Sequence, residues 1–401
     1  MQRSAAWGAA LALGLVVSAA GIATLVSTRG PGAIAVAPRA APPVSAAPDG
    51  QDGMCVPASL EQRAARVLVV GLPGVTASSE PIVTEILDVG VGGVLVTEPN
   101  VVSSAQMIQL VSDLRALAGR PLLVSAGEES GRVATFRDVF GATPSARTLA
   151  ARSTPSQVEE IAGEVGSKLA ALGIDLDFAP VVDLDAGPAG GIIGDRSFSA
   201  EPAEAAEYGL AWARGLAGAG VHPTAKHFPG HGRVIADTHL ELPLVDAGLD
   251  ELRESDLVPF VELIDAGVPV IMLDHIAYRV FDQELPASLS PKAYAFLREL
   301  GFEGVAITDS VGMGAVNLRW PFPEAAVLAI SAGADAVLTT DGTQALGMRD
   351  ALVEAVRSGR LPESRLDEAA GRMAALAGDD SQTLVCRSIE LPALTPTSPG
   401  G

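Results

Sequence analysis

From residue 60 onward, short apolar runs rich in β-branched residues recur along the chain. Longer stretches with helical periodicity separate them. The short runs cover residues 67–70, 93–96, 122–125, 174–178, 224–226, 270–273, 305–308 and 336–338. Most are apolar at consecutive positions rather than at every second one, as expected of strands buried on both faces of a parallel sheet. The amphipathic stretches between them cover residues 105–117, 155–171, 204–219, 254–266, 291–300, 323–332 and 344–358. Eight strand runs, seven of them followed by such a stretch, predict a single (β/α)8 barrel of the TIM type, of ordinary size. A doubly wound open sheet is the alternative. The barrel is favoured because polar clusters follow several strands instead of gathering at one switch point.

The two ends of the chain break this pattern. Gln2-Arg3 is followed by a nearly unbroken apolar run from Ala5 to Val26. That run is long for a signal-peptide core and just long enough to span a bilayer, so residues 1–29 read either as a cleaved signal or as an N-terminal membrane anchor. Both readings export the domain, as a secreted protein or one tethered to the outer face of the membrane. Residues 30–54 are rich in Pro, Ala and Gly and read as a linker. The barrel is expected over residues 55–378, and residues 379–401, with Pro392, Pro396 and Pro399, as a tail. The only two cysteines, Cys55 and Cys386, flank the barrel. In an exported protein an even count predicts a disulfide, here joining the two ends of the domain. The net charge of −21 argues against nucleic acid or an anionic membrane surface as partner. With aromatic residues at 4%, a broad stacking platform for long polysaccharides is not expected.

The candidate chemistry lies at the ends of strands. Lys226-His227-Phe228-Pro229-Gly230-His231-Gly232, followed by Asp237-Thr238-His239, holds three of the five histidines. Its Pro and Gly residues exclude a regular helix, so the i,i+4 pair His227 and His231 is a poor zinc site, and no metal or other cofactor is indicated. In Asp237-Thr238-His239, a carboxylate that accepts from one imidazole nitrogen raises the basicity of the other, which suits an acid/base; a plain polar loop contact is the alternative. Asp309, closing the seventh strand run beside Thr308 and Ser310, suits a nucleophile or electrostatic stabiliser, or else a helix cap. Lys226 is either a substrate contact or half of a buried ion pair. Arg196, on a Gly-rich loop after the fourth strand run, offers a planar donor fork, unless Asp195 simply pairs with it. Arg132, with Arg137 and Asp138 on the loop after the third, is a further substrate-binding candidate, and Asp274-His275 follow the sixth.

Several segments together carry a resemblance: Phe178-Ala179-Pro180-Val181-Val182-Asp183, Gly194-Asp195-Arg196-Ser197-Phe198, Ala225 through Gly232, Asp237-Thr238-His239, Pro286-Ala287-Ser288-Leu289-Ser290, and Thr308-Asp309-Ser310 with Met313. Across about residues 60–377 the chain resembles the β-N-acetylglucosaminidase branch of glycoside hydrolase family three. The resemblance implies a retaining exo-hydrolase of terminal β-linked N-acetylglucosamine, with cell-wall fragments as the carbohydrate partner. It implies Asp309 as nucleophile, His239 as acid/base supported by Asp237, and Arg196, Lys226 and His227 as sugar-binding residues. This branch departs from the usual scheme in which a second carboxylate supplies the proton. The chain itself departs from the family at Gly127, where an aspartate that holds sugar hydroxyls is expected, and at Ser130, which replaces a glycine. Glu128 and Glu129 are candidates to compensate. A catalytically impaired glycan-binding barrel, a phosphorylase using phosphate in place of water, and a lyase or aldolase with Lys226 as Schiff-base former are the rival readings. The oligomeric state is not encoded in any feature of the sequence.

Overall fold

The computed structural model describes residues 55–234 and 242–394. The proposed leader and linker, and the pair Asp237 and His239, lie outside these residues.

Eight parallel strands close into a barrel: β1 (Leu68–Gly71), β2 (Gly93–Val96), β3 (Leu123–Ala126), β4 (Leu176–Asp177), β5 (His222–Phe228), β6 (Val270–Leu273), β7 (Val305–Ser310) and β8 (Ala336–Thr339). Each pairs with its sequence neighbours, and β1 pairs with β8 to complete the ring. Helices α1 (Leu60–Arg66), α2 (Pro81–Val89), α3 (Ser104–Ala118), α4 (Pro155–Leu172), α5 (Pro202–Gly218), α6 (Leu257–Asp265), α7 (Pro291–Glu299), α8 (Phe322–Ala332), α9 (Ala345–Arg357) and α10 (Glu363–Leu376) account for the amphipathic stretches and add elements before and after them. Local chemistry marks their ends. Ser103 caps α3 by accepting from the Gln106 amide, and Thr154 and Gln157 form a reciprocal capping box on α4.

The barrel fold stands as expected, and two details differ. The stretch read as one helix over 254–266 is broken at Ser255, leaving a short helix Leu249–Glu254 before α6. The segment after residue 378 is not a loose tail throughout: Ser381–Val385 is helical, and Leu384, Val385 and Leu394 are buried. The interior of the barrel is filled by Val69, Leu95, Leu123, Leu176, Val270, Met272, Val305, Ile307 and Leu338, with Met373 and Leu376 of α10 joining the same cluster and Leu391 packed against it. This apolar content makes the barrel a packed core and not a pore.

Cys55 and Cys386 are joined in a disulfide across a separation of 331 residues, as the sequence predicts. The Ala58 amide donates to the Leu384 carbonyl beside it at 3.0 Å. The two ends of the described domain are thus held together both covalently and by the backbone.

Candidate active site

Two of the barrel strands carry an irregularity where the chemistry sits. Between β5 and β6, Lys226 is paired with Met272 and Phe228 with Leu273, so β5 advances two residues where β6 advances one. Between β7 and β8, Ile307 is paired with Ala336 and Ser310 with Leu338, an extra residue again, now on β7. Bulges re-aim the side chains within them. His227 lies in the first and Asp309 in the second. Both are at the C-terminal ends of their strands, where barrel enzymes place their active groups. The Lys226–His227 and Phe228–Pro229 peptides are cis.

Lys226 and Arg196 converge on one buried carboxylate, Glu129. Arg196 grips it with two parallel bonds, Nε to Oε2 at 2.6 Å and Nη2 to Oε1 at 2.8 Å. The Lys226 ammonium contacts Oε1 as well. Burial works to raise the Glu129 carboxyl, but the two cations overcome it and hold it far below the usual carboxylate range. Lys226 therefore is part of a buried ion pair, one of the two readings left open by the sequence. Arg196 does not pair with Asp195, which is bound by Arg132 instead.

His227 is oriented by Asp183. The imidazole Nδ1 lies 2.7 Å from Asp183 Oδ2, and the amides of His227 and His231 donate to Oδ1 at 3.1 and 2.7 Å. With Nδ1 turned to Asp183, the Nε2 edge is left on the side of Arg196, 3.5 Å from Nη2. His231 packs edge-on against His227. Burial, then the neighbouring His227, lowers its value to about 4, so it is neutral at physiological pH. The glycines of this loop have definite work. Gly230 has φ +137, and a Cβ there would lie 2.7 Å from that of Asp256. A Cβ on Gly232 would lie 1.7 Å from the Leu184 carbonyl oxygen, so only glycine allows this approach.

Asp309 accepts 2.6 Å from the amide of Ser310. Burial favours its neutral form, but His227, His275, that amide and Lys226 outweigh burial and hold the carboxyl below the ordinary aspartate value. It is therefore an ionised carboxylate whose one hydrogen-bond donor among the described residues is the Ser310 amide. His275 braces the same turn. Its Nε2 donates to the Ser310 carbonyl at 2.9 Å, and its Nδ1 accepts from Ser288 Oγ at 2.7 Å. Burial lowers its value, in keeping with this neutral tautomer.

Arg132 stands apart from this cluster. Its Nε donates to Asp195 at 2.9 Å and its Nη2 to the carbonyls of Gly191, Ile192 and Ile193, so it fastens the loop that presents Arg196. It also lines a cavity of about 250 Å³ with Gly127, Glu98, Thr135, Arg137 and Asp138. A Cβ on Gly127 would meet nothing within 4 Å. Glu128 does not fill that space; its Oε2 turns inward to the Phe136 amide at 2.8 Å. Glu129 is engaged by the two cations. Among the described residues, no group of three or more His, Cys, Asp or Glu side chains could hold a metal ion.

The structure thus gathers Arg196, Lys226, His227 and Asp309 around the C-terminal mouth and sets Arg132 behind the Arg196 loop. Asp183, which orients His227, and Ser288, which orients His275, had no individual role in the sequence reading, and Glu129 was read there only as a candidate to compensate for Gly127. Asp183 lies inside a quoted motif, but nothing local distinguishes a residue that accepts from a histidine 44 positions away.

The glycosyl hydrolase family 3 N-terminal domain profile matches residues 59–376. The chain is 37% identical over 336 residues to the beta-hexosaminidase LpqI of Mycobacterium tuberculosis, an alignment covering 80% of this chain and 84% of the relative. The crystal structure of a glycosyl hydrolase of the same family from Mycobacterium smegmatis superposes with a TM-score of 0.74 at 37% identity, covering 80% of this chain and 97% of that one. A family 3 beta-N-acetylglucosaminidase from a Paenibacillus species superposes at 0.77 with 33% identity, covering 83% of this chain and 64% of that one. Sequence, fold and the cluster at the barrel mouth agree, and this chain belongs to glycosyl hydrolase family 3 as a glycoside hydrolase.

Proposed function

We propose that the protein is a retaining exo-β-N-acetylglucosaminidase that removes terminal N-acetylglucosamine from peptidoglycan-type fragments. The observation that carries this reading is Asp309: a carboxylate kept ionised in a buried site, set in a strand bulge, with one backbone donor among the described residues. The names of the relatives in the preceding section support the sugar.

In this mechanism Asp309 attacks the anomeric carbon through an oxocarbenium-like transition state, forming a glycosyl-enzyme as the bond to the leaving oxygen breaks. His239, supported by Asp237, donates its proton to that oxygen. It then takes a proton from the incoming water, which displaces Asp309 and releases the sugar with retained configuration. Lys226 and Arg196 keep donors near the sugar hydroxyls while Glu129 balances their charge. The Nε2 edge of His227, turned away from Asp183 and 3.5 Å from Arg196 Nη2, faces a sugar hydroxyl in this reading. Arg132 supports binding indirectly, through the loop it fastens.

The same reading places the enzyme outside the cytoplasm, with residues 1–29 as signal or anchor and 30–54 as linker. The Cys55–Cys386 disulfide supports an oxidising compartment. The test is turnover of a chromogenic N-acetylglucosaminide, together with mass-spectrometric trapping of a glycosyl adduct by a slow substrate. The expected adduct is on the peptide carrying Asp309 and is missing in Asp309→Asn; an adduct that persists in that variant would remove the assignment.

The open space at Gly127 favours a second reading, a glycan-binding barrel of impaired activity. Binding of N-acetylglucosamine-terminated fragments without turnover would select it, and in that case Gly127→Asp is expected to restore turnover.

A further inference from the structure

Asp274 follows β6 and is completely buried, with no cation among its hydrogen-bond partners in the described residues. Its Oδ1 accepts from the Ile276 amide at 3.1 Å, and its Oδ2 lies 2.6 Å from the Tyr278 hydroxyl. The same hydroxyl lies 2.9 Å from the Gly230 carbonyl oxygen. A phenol has one proton to give. A carbonyl can only accept, so the contact to Gly230 takes that proton. The shorter contact to Asp274 then needs a proton of its own, and the carboxyl is its only source. With a carboxylate at Asp274, the phenol proton would turn to the charge and leave the buried Gly230 carbonyl facing a lone pair.

The stretch from Asp274 to Arg279 also holds the far flank of the loop that Gly230 opens. Leu244 and Val245 pair in parallel with Ala277 and Tyr278. The Ala277 amide donates to the Pro243 carbonyl at 2.9 Å, and the Arg279 amide to that of Val245 at 3.0 Å. One short segment thus secures the chain on both sides of the sequence that carries Asp237 and His239.

We propose that Asp274 is a neutral carboxylic acid that donates to Tyr278, which in turn donates to the Gly230 carbonyl, and that this chain of bonds is a positioning device for the histidine-bearing loop. Its functional half rests on the proposed acid role of His239. Burial, with Asp183 and Asp309 nearby, pushes the Asp274 carboxyl well above its ordinary value despite its contacts with Tyr278 and the Ile276 amide. Burial first, with Asp183 and with Asp256 beside Gly230 adding to it, pushes the Tyr278 phenol well above its ordinary value, so Tyr278 keeps its proton.

The experiment compares Asp274→Asn, Asp274→Ala and Tyr278→Phe. An amide reproduces the proposed pattern: its oxygen accepts from Ile276 and its NH2 donates to Tyr278. Asp274→Asn is therefore expected to keep kcat/KM within about threefold of the parent enzyme, a neutral exchange of one donor for another. Asp274→Ala and Tyr278→Phe are expected to lose about 10- to 100-fold on glycosides with poor leaving groups and clearly less on activated aryl glycosides, because proton donation is the step disturbed. Equal damage from Asn and Ala, or equal losses on both substrate types, would overturn the positioning role. Infrared difference spectra at neutral pH test the protonation state separately. The deuteration-sensitive carbonyl band of a protonated carboxyl group is expected in the parent enzyme and lost in Asp274→Asn, and an unchanged band would overturn it. His239→Ala, run in parallel, separates the failures: without a leaving-group effect there, the acid reading itself fails, whatever Asp274 does.

Discussion

Two aspartates at opposite ends of neighbouring barrel strands make an instructive pair. Asp309 closes β7 at the mouth, and Asp335 immediately precedes β8 at the other end. Both are held below the ordinary aspartate value against the effect of burial. Around Asp335 every acceptor position is taken: Arg298 at 2.6 Å, Arg365 at 2.5 Å, Arg372 at 3.1 Å and the Ala306 amide at 3.0 Å. Arg365 and Arg372 come from α10, so this aspartate fastens the last helix to the barrel floor. Asp309 has the Ser310 amide at 2.6 Å and no such ring of arginines. A depressed carboxyl value is common to both; among the described residues, acceptor positions not taken separate the proposed nucleophile from the structural carboxylate. Position on the barrel tells the same story, since the C-terminal face carries chemistry and the opposite face carries stability.

The comparison can be broken most directly by exchanging each carboxylate for its amide. Asp309→Asn is expected to lower kcat by at least about 10³-fold with an unchanged unfolding midpoint, because the proposed nucleophile is removed and little packing is. Asp335→Asn should do the reverse. Leaving three arginines without their counter-charge is expected to cost about 3–5 kcal/mol in urea unfolding while the activity per folded molecule is kept. Stability loss at Asp309 comparable to that at Asp335 would erase the distinction.

Glu128 sharpens the comparison as a third kind of buried carboxyl, one with no ion pair. Burial raises it from 4.5 to about 7, against the Phe136 amide. Between those two values the unfolded chain has released a proton that the folded one keeps. Stability therefore falls as pH rises from 4.5 to about 7 and levels off above. Glu128→Gln should abolish that slope and add about 3 kcal/mol above pH 7 while changing little at pH 4. The smallest effect concerns Lys226. It is the last of the contributors that lower Asp309, so Lys226→Met should move the acid limb of the kcat/KM profile to higher pH.

Much of the architecture is written in the order of the residues. All eight barrel strands lie on the apolar runs, because a strand covered on both faces must be apolar at nearly every position. The largest misjudged extent is β5, read as 224–226 but running from His222 to Phe228 and so taking in His227 beyond Lys226. Two polar residues inside a strand look like its end; here Glu129 pairs with Lys226 and Asp183 hydrogen-bonds His227, across 97 and 44 positions of sequence. Such pairings carry no periodic signal. The short helix Ser381–Val385 hides for a related reason, being stabilised by the disulfide beside it and by burial of Leu384 and Val385 instead of by length. Asp309 was legible as a strand-end carboxylate, but the bulge that turns it was not, since an extra residue is defined only by its partner strand.

The bond between Cys55 and Cys386 makes the catalytic domain, in effect, a closed ring. A protease that cuts any surface loop between those two positions opens the ring without releasing a piece, so the nicked protein still migrates as one species until a reductant is added. Neither end can peel away on its own, and loss of the fold must begin from within the circle.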